Sequence, residues 1–102
     1  IDALMATYAD GIQLFEHPAT LVASGAAAVR ERQGVRLREP DLHAALIKRM
    51  VMGNMVSDQE VVTRSFPEGT GTIELIAIYE VQNGRIAKAW FLFGARTPDP
   101  AA

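Results

Sequence analysis

The sequence contains no cysteine, which excludes disulfides and thiolate metal sites. Its two histidines and scattered carboxylates show no HExxH-like spacing, so no metal centre is expected. It has no GxSxG element and no glycine-rich phosphate loop, and Gly69-Thr70-Gly71 reads as a turn rather than a nucleotide cradle. No apolar run approaches the roughly 20 residues of a membrane helix. Membrane insertion is therefore not expected, and a cytoplasmic location is. The net charge is only −2, with both signs interspersed. With no basic stripe to follow a phosphate backbone, nucleic acid is not an expected partner. No redox cofactor, and no cofactor of any other kind, is implied.

What is present suits one small domain spanning 1–102. Apolar residues make up 49% and charged residues 22%, ordinary proportions for a globular chain. Ile1, Leu4, Met5 and Tyr8 form one apolar stripe of a helix, which Asp10-Gly11 ends. That helix reads as incomplete at its start, so further residues are expected before Ile1. Ile12 to His17 alternates as a short strand stopped by Pro18. Ser24 is the expected N-cap of a helix over 25–38, alanine-rich and then arginine-rich, with one face solvated. Strands follow over 42–52 and 55–66 around Gly53-Asn54, and over 72–81 and 85–96 around Gln82-Asn83-Gly84. Residues 97–102 read as a mobile tail. Helices first and a meander afterwards predict an α+β fold, a curved antiparallel sheet with helices packed on its concave face.

If Gln82-Asn83-Gly84 is a three-residue loop, Ala77 opposes Ala89, Leu75 opposes Phe91 and Ile73 opposes Phe93. These residues, with Tyr79 and Ala87, form one apolar face; a loop of two residues would scramble both faces. The other face carries Ile76, Ile78, Trp90 and Leu92. One helix layer covers one face, so a second subunit is expected on the other, making a homodimer through those four residues. In the first long hairpin, a two-residue turn sets His43 opposite Arg64, Ile47 opposite Glu60 and Arg49 opposite Asp58. That polar face is either a solvated surface or a wall of the cavity to which His43, Asp58 and Glu60 contribute. Leu75, Tyr79, Phe91 and Phe93 are expected to line an apolar ligand pocket, unless they are simply core. The Tyr79 hydroxyl either meets a ligand oxygen or makes a structural hydrogen bond.

The stretches Leu4-Met5-Ala6-Thr7-Tyr8-Ala9-Asp10, Gly25 through Arg32, and Ile78 through Ile86 resemble the ketosteroid isomerase-like and SnoaL-like polyketide-cyclase branch of the nuclear-transport-factor-2-like superfamily. The resemblance covers nearly the whole chain. It implies a cone-like α+β barrel and dimers packed through the convex sheet face. It also places a catalytic base at the end of the first strand, before proline, where this chain has His17. An imidazole with a pKa of about 6.5 suits a general base. The plainer alternative is a histidine hydrogen-bonded to backbone or water. The family's protonated aspartate matches Ala77, and its tyrosine would precede Ile1. Two functions stay open. One is an isomerase, cyclase or hydratase moving a proton on a small, partly apolar carbonyl compound. The other is a non-catalytic ligand-binding or dimerisation domain of the same fold.

Overall fold

Alternating apolar and polar residues, rich in Val, Ile and Thr, drive most of the chain from residue 43 onward into extended structure. In the computed structural model, residues 1–16, 20–39, 42–67 and 69–98 are described. The elements are α1 (Asp2–Met5), β1 (Tyr8–Glu16), β2 (Thr20–Ser24), α2 (Ala26–Leu37), β3 (His43–Met52), β4 (Met55–Phe66), β5 (Gly69–Gln82) and β6 (Arg85–Pro98). The six strands form one sheet in the order β2-β1-β6-β5-β4-β3. The α+β class stands. The sheet is mixed rather than wholly antiparallel, because β1 runs parallel to β6. It does not close into a barrel, and β2 and β3 are its edges.

The chain start departs from expectation. The apolar stripe at Leu4, Met5 and Tyr8 is not one helix. The Thr7 hydroxyl and its backbone N–H both donate to the Leu4 carbonyl, at 2.7 and 3.0 Å, at the end of α1. The Ile86 N–H then donates to the Thr7 carbonyl at 2.8 Å and draws the chain alongside β6. Asp10 and Gly11 therefore lie inside β1, where its pairing with β6 shifts between Tyr8 and Gln13. Ser24 is not the N-cap of α2. It belongs to β2, and the cap is Gly25, whose φ of 86° few residues other than glycine adopt readily. At the other end, Thr97 and Pro98 extend β6 opposite Thr72 and Gly71, so only residues 99–102 of the expected tail lie outside the described residues.

The second long hairpin turns on two residues, with Gln82 opposite Arg85 and Val81 opposite Ile86. That would move every later side chain to the wrong face. A bulge at Ala87, which has no partner, inserts one more residue. From Glu80 opposite Lys88 onward, Tyr79 meets Ala89, Ala77 meets Phe91 and Leu75 meets Phe93. From there the register differs by two residues from the expected one, so both faces keep their expected members except Ala87, which is the bulge. In the first long hairpin a bulge at Ile47 has the opposite consequence. Arg49 still meets Asp58, but beyond the bulge Leu46 meets Glu60 and His43 meets Thr63 rather than Arg64.

The core lies between β1, β6 and α2. Ile12, Leu14, Val29 and Ala89 have no solvent exposure, and Tyr8 and Ala23 complete the cluster. Leu14 sits opposite Ala89 across the parallel β1–β6 pair. Helix α2 packs on β1 and β2 and is anchored by Val29, whose burial contributes about 1.5–3 kcal/mol.

Candidate functional site

A cleft of about 260 Å³ opens between α2 and the sheet face carrying Ile73, Leu75, Phe91 and Phe93. Strand alternation explains its wall. Glu60, Val62 and Arg64 are successive same-face residues of β4, opposite Leu75, Ile73 and Gly71 of β5. The Ile47 bulge adds Leu42 and Ala44, moved to the cleft side with Val62. The roof comes from Leu4, Tyr8 and the α2 face bearing Arg32, Gln33 and Arg36. Such a wall, mostly apolar with few polar groups, is the usual composition of a small-ligand site, here at the small end of the size range.

Five of the residues read from the sequence come together in this cleft: Glu60, Leu75, Tyr79, Phe91 and Phe93. Ala77 and Ala89 are fully buried beneath it and do not line it. His43 is exposed on β3 and does not line it either, because the Ile47 bulge turns it to the outer face. Asp58 is buried and accepts two hydrogen bonds from Arg49, at 2.7 and 2.9 Å, outside the cleft lining. It lies directly opposite Ala77, so an acid does stand one strand away from the position where the family resemblance expects one. Both its oxygens are occupied by the Arg49 fork. His17 lies outside the described residues.

The polar groups of the cleft fall into two sets. At one end, burial pushes the Glu60 carboxyl above its ordinary pKa, with the Asp58 charge adding to the rise and Arg49 opposing it. Burial also pushes the Tyr79 phenol far up, reinforced by the Glu60 charge, so it keeps its proton at neutral pH. Among the described residues nothing hydrogen-bonds the Tyr79 hydroxyl. The Tyr8 hydroxyl, by contrast, accepts from Gln33 Nε2 at 3.3 Å. At the other end stand three guanidinium groups, Arg32, Arg36 and Arg64. Arg64 donates to both oxygens of Glu39, at 3.1 and 3.2 Å, and the Ser65 N–H adds a third bond to that carboxylate. This Arg64 pairing holds the Glu39 carboxyl below its ordinary pKa and ties the end of α2 to β4. Arg32 lies 3.5 Å from Glu16.

The arginines of α2 were not among the expected site residues, although the sequence carries their signal. Val29, Arg32, Gln33 and Arg36 fall at i, i+3, i+4 and i+7 and so share one helix face. Once Val29 is placed in the core, its three polar neighbours must face the cleft. Among the described residues no three His, Asp or Glu side chains group to hold a metal ion, and no helix is long and apolar enough to cross a membrane.

A model of the SnoaL-like domain matches residues 1–89. The chain belongs to the SnoaL-like domain family. The resemblance read from the sequence is borne out at the level of family and fold. No curated protein matches the sequence. Among solved structures, an NTF2-like protein of unknown function from Cytophaga hutchinsonii superposes with a TM-score of 0.80 at 18% identity, over 92% of this chain and 85% of that one. A candidate SnoaL-like polyketide cyclase from Mesorhizobium loti gives 0.74 at 20% identity, over 88% and 82%. A protein of ketosteroid isomerase-like fold from Catenulispora acidiphila, solved with trimethylamine, gives 0.74 at 12% identity, over 88% and 72%. These likenesses establish that the SnoaL-like domain shares the fold of all three.

Proposed function

We propose that this SnoaL-like domain is an enzyme of the isomerase or cyclase kind that moves a proton on a small, partly apolar carbonyl compound. The observation that carries this reading is a desolvated carboxyl, Glu60, on the same apolar cleft wall as a phenol, Tyr79, that no described residue hydrogen-bonds. A carboxylate whose pKa is raised by burial is a stronger base than one in water. Glu60 takes a proton from the carbon beside the carbonyl. The C–H bond breaks, an O–H bond forms on the carboxyl, and the C–H electron pair becomes the enolate with charge on oxygen. The Tyr79 hydroxyl donates to that oxygen. Returning the proton to another carbon of the enolate completes an isomerisation. Attack of the enolate carbon on a second carbonyl of the same molecule, with the proton delivered to the new alkoxide, completes a cyclisation. The name of the Mesorhizobium loti neighbour accords with cyclase chemistry.

The test is hydrogen–deuterium exchange at the carbon beside the carbonyl of β-tetralone in D2O, followed by NMR. Wild-type protein should accelerate exchange over buffer, and Glu60→Gln should lower the enzymatic rate about a hundredfold or more. Tyr79→Phe should also lower it, and His17→Ala should not. Loss of exchange in His17→Ala but not Glu60→Gln would move the base to His17. No exchange above buffer would leave the non-catalytic binding domain as the reading.

The second proposal concerns assembly. Both helices lie on the cleft side of the sheet, while the outer face carries Ile78 opposite Trp90 and Ile76 opposite Leu92. Phe15 stacks on Trp90 with ring centroids 5.6 Å apart. Ile76 and Leu92 remain 37% and 40% exposed in the single chain, which supports a homodimer joined through this face.

A further inference from the structure

The arginine end of the cleft has more positive charge than the described residues neutralise. Arg64 donates to both oxygens of Glu39, and that carboxylate also accepts from the Ser65 N–H. Arg32 has Glu16. The Arg36 guanidinium, on a partly buried side chain of the cleft face of α2, has no hydrogen bond or ion pair among the described residues. Its neighbours make matters worse: the charges of Arg64 and Arg32 both act against it, and only Glu39, already engaged, acts in its favour. A partly desolvated guanidinium between two others is costly unless an anion meets it. Its planar fork matches a carboxylate with two parallel hydrogen bonds.

The spacing of the cleft completes the argument. Glu60 and Arg64 are same-face residues on β4 with Val62 between them. Four strand residues separate their Cα atoms by about 13 Å at a rise of ~3.3 Å each. Between those two rows lie Val62 and Ile73, while Leu75 and Phe93 stand level with Glu60. We infer that the ligand of this cleft is an apolar carboxylate, with its anionic group held by Arg36 at the arginine end and its apolar body lying across Val62 and Ile73 toward Leu75, Phe93 and Glu60. Resting on the proposed proton transfer, this makes the substrate an oxo acid, with carboxylate and reacting carbon at opposite ends of a hydrophobic frame.

The experiment is calorimetric titration of the full chain with naphthoate and, separately, with the neutral isostere naphthamide. Naphthoate should bind about ten- to a hundredfold more tightly, the usual worth of a charge-assisted bond to a guanidinium. Arg36→Gln should abolish that preference and leave naphthamide affinity unchanged. Retained naphthamide binding also shows that the variant is folded. Arg36→Lys should restore part of the preference. Arg30→Gln, at an arginine engaged with Asp2 outside the cleft, should change nothing. Equal affinity for acid and amide, an undiminished preference in Arg36→Gln, or failure of naphthoate to bind would overturn the inference. Displacement of naphthoate by inorganic phosphate alone would overturn it too, since that would mark a bare anion site. Tetralone exchange without carboxylate preference would sink this inference and spare the proposed chemistry. Carboxylate preference without exchange would do the reverse.

Discussion

Asp58 and Glu60 sit two residues apart on the same face of β4, yet their surroundings set them different tasks. Asp58 is 5% exposed and fully engaged by the Arg49 fork, so it serves as a fixed acceptor. Among the described residues Glu60 has no such partner. Burial dominates its environment and favours the protonated form. This difference has a consequence for stability. Between the ordinary carboxylate value of 4.5 and its raised value, folded Glu60 holds a proton that the unfolded chain has released. The folded state binds more protons in that window, so Glu60's contribution to stability declines as pH rises through it. Glu60→Gln removes the penalty. The variant should be more stable than wild type at neutral pH, with the gain shrinking as pH falls toward 4.5. Chemical denaturation at several pH values measures this, and a variant less stable at neutral pH would contradict it. Glu39 works in the opposite sense. Arg64 depresses its pKa, so its support is present above the ordinary value and is lost as pH falls through the depressed one. A stabilising loss of function at Glu60 is the usual mark of a group retained for chemistry.

The two long hairpins end in different registers from those expected, through a bulge at Ile47 in the first and a shorter turn with a bulge at Ala87 in the second. Asn83 and Gly84 have φ of 52° and 76°, the paired left-handed conformations of a two-residue hairpin turn. Gly84→Ala forces an alanine into that region and should cost about 1–2 kcal/mol. Gly34→Ala lies in α2, where the new Cβ would meet only the Arg38 side chain at 3.6 Å, and should stabilise by ~0.5–1 kcal/mol. Thermal melts that rank the two variants the other way would refute the conformational argument. The Asn-Gly pair was legible because it acts through local sterics. The bulges at Ala87 and Ile47 were not, because they answer to packing across the sheet. The faces of β5 and β6 nevertheless came out as read, since a shorter turn and an added residue together displace the register by two. On β3 a single bulge sent Leu42 and Ala44 to the cleft and His43 away from it. The parallel pairing of β1 with β6 was equally hidden, because it joins segments some seventy-five positions apart and leaves no short-range signal. The arginine face of α2 is readable from its spacing, but an arginine-rich helix face fits a solvated surface equally well until Val29 is placed in the core.

The whole molecule has more apolar sheet than its two helices cover. One sheet face closes over the core and cleft, and Arg64 to Glu39 and Arg32 to Glu16 hold α2 across it. The other presents a continuous strip from Phe15 through Trp90 to Ile78, with Ile76 and Leu92 beside it. Lys88 and Glu80, opposite each other, border that strip with charge, as polar rims border apolar contact surfaces. A second copy presenting the same strip would match it by two-fold symmetry, apolar centre on apolar centre. Trp90 lies within the strip and already stacks on Phe15, so its ring is held in place before any partner arrives. A glutamate there would put a carboxylate without a counter-charge into the proposed contact, at a cost of several kcal/mol. Trp90→Glu should therefore convert a dimer to a monomer while the cleft, on the other side of the sheet, keeps its naphthamide affinity. Sedimentation velocity at micromolar concentration checks the first outcome and calorimetry the second. Wild-type protein that sediments as a monomer would remove the dimer and leave the outer strip as an uncovered surface. A dimer that survives Trp90→Glu would place the contact elsewhere, with the exposed Met50, Val51 and Met52 of edge strand β3 as the next face to mutate.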